Sequence, residues 1–106
     1  METTFTHAEK ISELVAYQPG AVVSRTLVNK KTGTVTLFAF DQGQGLSEHT
    51  APFDALVHVL EGDVSITISG VAHSVGAGGA ILLPANQPHA LAAARRFKML
   101  LTMIRA

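Results

Sequence analysis

Cysteine is absent from this chain, charge is scarce, and no apolar run is long. Each absence closes a class of function. Without a thiol there is no disulfide, no thiolate nucleophile and no zinc ribbon, which fits a reducing compartment. Charged residues make up only 15% of the chain, and eight basic residues cancel eight acidic ones. No net field therefore draws the chain to nucleic acid or to an anionic membrane. The pairs Lys30-Lys31 and Arg95-Arg96 read as solvated turn residues. Residues 1–20 carry Glu2, His7, Glu9, Lys10 and Glu13 and hold no uninterrupted apolar core, so they do not read as a signal peptide. Nothing approaches the ~20 apolar residues of a membrane-spanning helix. A soluble cytoplasmic protein is expected. There is no G-x-x-x-x-G-K-[ST] loop and no G-x-S-x-G elbow, and Gly76-Ala77-Gly78-Gly79 joins two strand-like runs without opening a helix. No nucleotide cofactor is expected.

What is present is apolar and strand-like. With 47% hydrophobic residues in 106, the chain has enough for one core and one domain, spanning 1–106. So little charge on so small a globule leaves apolar surface, which points to self-association. Residues 6–17 read as a short helix or an arm, and the arm ends at Gln18-Pro19-Gly20. Beyond it, strands are predicted over 21–28, 34–40, 55–60, 64–69, 72–75, 80–83 and 97–104, with 42–47 and 84–88 as loops. Val64, Ile66 and Ile68 alternate with Ser65, Thr67 and Ser69, the pattern of a half-buried antiparallel strand. The runs 55–60 and 97–104 are instead apolar on both faces. Such strands need a second covering layer. No long amphipathic helix supplies one, so a partner subunit is the simplest cover and a homodimer is predicted. Many short strands with turns between them indicate an all-β sandwich or barrel.

Two spaced motifs run through the middle of the chain. In the first, Gly43 is followed after five residues by His49, with Ala51, Ala55 and Gly62 at fixed spacings beyond. In the second, Gly78 leads through Pro84 and Asn86 to His89 and Ala93. Together, over residues 34–93, they resemble the two signature motifs of the cupins, specifically a small single-domain barrel of the cupin-2 type. The resemblance implies a double-stranded β-helix, or jelly-roll, with a pocket in its bore. It also implies three histidines and a glutamate on a metal. Here Ala51 stands at the second-histidine position, Ala55 at the glutamate position, Asn86 at a glycine and Ala93 at an asparagine.

The residues then read as half of a metal site. Alternate strand residues share a face, so a pocket lined by His49, Ala51, Phe53, Ala55, Val57 and His89 is expected. His49 and His89 are the candidate ligands of one divalent transition metal ion or of a small molecule. Asp54 is the nearest third ligand, one position before the glutamate site. On a regular strand its parity points outward, and it reaches inward only if Pro52-Phe53 forms a bulge or turn. His58 has the outward parity of an interface residue, His73 is expected to face solvent, and His7 lies in the arm. Met99 and Met103 have the spacing of core or interface filler rather than of a soft-metal site. Three functions stay open. They are a small-molecule-binding barrel, a metal-dependent enzyme of dioxygenase or isomerase type, and a metal-free structural or sensing module.

Overall fold

The computed structural model describes residues 6–105. A 3₁₀ turn at Ile11–Leu14 is followed by nine strands: β1 (Val22–Lys30), β2 (Gly33–Phe40), β3 (Gly45–His49), β4 (Asp54–Glu61), β5 (Asp63–Ile68), β6 (Val71–Gly76), β7 (Ala80–Leu83), β8 (His89–Ala92) and β9 (Phe97–Ile104). They form two antiparallel sheets, ordered β1-β2-β9-β4-β7 and β3-β8-β5-β6. This is the expected all-β jelly-roll barrel.

The inner faces of the two sheets make one core. Val64 and Ile66, the inward members of the alternating run in β5, are buried, and they meet Val57 and Val59 of β4. In the same core Phe40 stacks on Phe97, with ring centroids 4.6 Å apart and planes 11° apart, both fully buried. Replacing Phe97 by alanine removes that stack and leaves a cavity worth about 3–5 kcal/mol. The urea midpoint should fall by a corresponding share of the total stability, and an unchanged midpoint would show that the stack contributes nothing.

The second face of β2, β4 and β9 carries a separate small core. Leu27, Leu37, Ala39, Leu60 and Leu100 pack there against Ile11, Leu14, Val15 and Tyr17. Part of the cover expected from a partner subunit thus comes from the chain's own N-terminal segment. That segment is pinned by polar contacts. Lys98 Nζ donates to the Ser12 carbonyl at 2.7 Å, and Arg25 donates to the Leu14 carbonyl at 3.1 Å. These cations satisfy carbonyls that a single short turn leaves without partners. Tyr17 donates to Glu61 at 2.7 Å, while Arg96 and Lys98 lie over its ring. Burial, with the Glu61 carboxylate that accepts its proton, holds the Tyr17 phenol well above its ordinary range.

Two short strands, β3 and β8, form where loops bordered the motif histidines in the sequence reading. β3 is irregular, with a shift of register between Leu46 and His49. At its start, a side chain on Gly45 would collide with the Leu91 carbonyl, so only glycine lets the two strands pair there. Gly62, which closes the first motif, turns β4 into β5 at φ +77°. A Cβ there would lie 2.5 Å from the Arg96 carbonyl oxygen.

Candidate functional site

The two motifs are tied together at both ends. Gly43 N donates to the Ala93 carbonyl at 2.7 Å and Ala93 N to the Gln44 carbonyl at 2.9 Å, joining the first motif's beginning to the second's end. At the mouth, Asn86 N donates to the Ala51 carbonyl at 2.8 Å. Asn86 holds φ 65°, the left-handed region. Asparagine is among the few residues that tolerate it, which explains why it can replace the motif's glycine.

This framework sets His49 and His89 directly opposite each other on β3 and β8. Their rings meet edge to face, with centroids 4.4 Å apart. Each Nδ1 contacts the carbonyl two residues earlier, Ser47 O at 2.8 Å for His49 and Gln87 O at 3.2 Å for His89. A carbonyl only accepts, so each Nδ1 carries the proton. In the neutral rings both Nε2 atoms then hold free lone pairs. The same backbone device fixes ring orientation at many metal-binding histidines. His89 is 7% exposed, whereas His49 is open to solvent. No buried side-chain nitrogen or oxygen among the described residues lacks a hydrogen-bond partner, so the Nε2 of His89 is not sealed in protein.

The space beside these rings is a cavity of about 60 Å³. Its wall includes Ala51, Phe53 and Ala55 with the two histidines, five of the six pocket positions read from the sequence. Val57 is the exception. It is fully buried in the core and does not reach the wall. The reading missed Leu46, Leu83 and Leu91, and the β9 residues Met99, Leu101 and Met103. The shared parity of 97, 99, 101 and 103 was the available signal for those on β9. Leu46 carries none, because the glycines at 43 and 45 give its surroundings the composition of a loop.

Asp54 does not join the imidazoles. The chain bends at 52–53, yet Asp54 is exposed and its carboxylate accepts a hydrogen bond from Ala85 N at 2.8 Å. It ties the start of β4 to the loop before β8. His58 is exposed on the outer face of β4, and His73 is half-buried rather than solvent-facing. His7 lies 3.5 Å from Glu9 at an exposed position. Among the described residues, no group of three or more histidine, cysteine, aspartate and glutamate side chains is placed to hold a metal.

A double-stranded β-helix with paired motif histidines in its bore defines a class of small barrel proteins. The family model for the cupin domain matches residues 36–104, and the chain belongs to that family. No curated protein matches it. Among solved structures it is similar to a conserved protein of unknown function from Streptococcus pyogenes, with 34% identity, 99% of this chain and 94% of that one covered, and a TM-score of 0.91. A cupin superfamily protein from Desulfitobacterium hafniense is 28% identical over 89% of this chain and 86% of its own, with a TM-score of 0.86. A cupin 2 conserved barrel domain protein from Leptotrichia buccalis is 41% identical over 89% of this chain and 46% of its own, also at 0.86.

Metal binding is common among cupins, but the residues present here do not fit the four-donor set. Ala51 and Ala55 occupy two donor positions on the pocket wall, and Asp54 faces away.

Proposed function

We propose that this protein is a small-molecule- or ion-binding cupin whose recognition elements are the Nε2 atoms of His49 and His89. One observation carries this reading: both Nδ1 atoms are committed to backbone carbonyls, which leaves the Nε2 lone pairs of two rings on the wall of a mostly apolar cavity for a ligand. Lone pairs in such a setting call for a metal ion or for a ligand that brings hydrogen-bond donors. A cavity of about 60 Å³ limits the occupant to an ion or a small molecule. The protein works in the cytoplasm as a homodimer, joined through the exposed apolar part of the β1-β2-β9-β4-β7 sheet.

The test compares tag-free wild type with His49→Ala and His89→Ala by native mass spectrometry and elemental analysis. Wild type should carry a bound species that both variants lose, while all three keep the same far-ultraviolet circular dichroism. If both variants fail to fold, the histidines are structural and the site assignment fails. It fails equally if the bound species persists without them.

A further inference from the structure

We propose that the barrel takes up a soft monovalent ion, of the copper(I) class, through Nε2 of His49, Nε2 of His89 and the thioether of Met103. The proposal rests on the binding role given above to the two imidazoles and names the ion they hold. It starts from the mismatch between the pocket and a divalent centre.

Charge is the first argument. Every donor on the cavity wall is neutral, since no carboxylate or thiolate reaches it. An ion entering this pocket keeps its full charge in apolar surroundings. The desolvation cost rises with the square of the charge, so a divalent ion meets about four times the penalty of a monovalent one. Centres for hard divalent ions offset that cost with carboxylates. This pocket has alanine where a carboxylate would stand.

Softness is the second. Thioether sulfur selects copper(I), imidazole suits zinc, copper, iron and nickel, and oxygen ligands suit magnesium, calcium and manganese. Two imidazoles and a thioether are thus a set suited to a soft ion and poorly suited to a hard one.

By spacing both methionines are core or interface filler, and their position on the cavity singles out one of them as a donor. Met99 and Met103 lie four residues apart on β9, about 13 Å along a strand, too far for both to reach one ion. Met99 also lines the cavity, but it is 1% exposed and paired with the fully buried Val59, which is not on the wall. Met103 is half-buried, lies on the cavity wall with both histidines, and is paired with Ala55, which is also on the wall. The small side chain of Ala55 leaves room beside Met103 that a glutamate would fill. The same substitution that removes the carboxylate thereby opens the space beside the sulfur.

The experiment uses the full chain, stripped of metal and kept anaerobic under a reductant. Copper(I) is titrated in competition with the chromophoric chelator bicinchoninate, and zinc(II) is titrated in parallel. Wild type should bind one copper(I) per chain and show a sulfur shell in copper X-ray absorption. Met103→Leu, which keeps volume and polarity, should weaken copper(I) at least about tenfold and erase that shell, while leaving zinc(II) affinity unchanged. Met99→Leu should keep the sulfur shell that Met103→Leu erases. If Met103→Leu binds copper(I) as tightly as wild type, or if zinc(II) displaces copper(I), the inference is overturned. The two-histidine site then still stands, provided that His49→Ala abolishes binding of whichever ion remains. If neither ion binds and no small molecule accompanies the protein, both proposals fall together.

Discussion

Restoring two side chains should convert this pocket into a tight divalent centre. In the double variant Ala51→His, Ala55→Glu, zinc(II) affinity should rise by on the order of a hundredfold for each donor added. The figure follows from the roughly 10–16 kcal/mol of a complete four-ligand zinc site, shared among its donors, with each 1.4 kcal/mol worth about tenfold. The geometric basis is that Ala51 and Ala55 lie on the same cavity wall as His49 and His89. Stability should change in opposite directions with and without metal. Ala55 is 6% exposed, so a glutamate there is a buried acid without a partner, and the metal-free variant should melt below wild type. Zinc binds only the folded state and should bring the melting temperature back above that of the apo variant. Isothermal titration and thermal melts with and without zinc check both effects. The control places the same two substitutions in a His49→Ala, His89→Ala background, where the gain should vanish. No gain in the His49/His89 background would mean that positions 51 and 55 do not aim where the imidazoles aim.

How far that pocket was legible in the sequence follows from the physics of each element. Glycines and histidines at motif spacing give the barrel and the facing pair, because turn glycines such as Gly62 are demanded by backbone crowding that leaves no alternative. The parity of β4 places Ala55 on the pocket side, but parity alone carries the wall one step too deep, to Val57. It says which face a residue takes and not how far along the bore the cavity extends. β3 escapes pattern reading altogether. It has five residues, begins with a glycine whose role is close approach to Leu91, and is broken by a register shift. Its alternation is too short and too irregular to be seen. The N-terminal segment escapes for another reason. Residues 11–17 show no long amphipathic period, and they cover the outer face through a single 3₁₀ turn held by Lys98 and Arg25. Those long-range contacts leave no mark in local composition. The methionines of β9 read as core or interface filler, and what they face is set by the opposite sheet.

The outer face also carries the other large effect, a change of assembly. The N-terminal segment leaves one row of the five-stranded sheet only partly covered, with Val35 packed against the small outer core. Following the register across the sheet, Leu82, Leu56, Thr102, Val35 and Val28 lie side by side on β7, β4, β9, β2 and β1. Leu82 is 50% exposed, Leu56 45% and Val28 38%, and Ile104 beside the row is 56% exposed. No residue of the row is charged. The chain has no net charge to repel a second copy, and two such faces can pack as aligned sheets. Wild type should therefore run as a dimer in light scattering coupled to size exclusion. Leu56→Asp puts one unpaired carboxylate per subunit at the centre of the buried row. An unpaired charge in such a place costs about 3–5 kcal/mol, and each 1.4 kcal/mol is about tenfold in affinity. Dissociation should thus become at least about a hundredfold easier, read as a shift toward monomer at the same concentration. Because Leu56 is already half exposed within the single chain, the variant should keep its circular dichroism and its ligand. A monomeric wild type would overturn the dimer. A Leu56→Asp protein that stays dimeric would place the interface on another face.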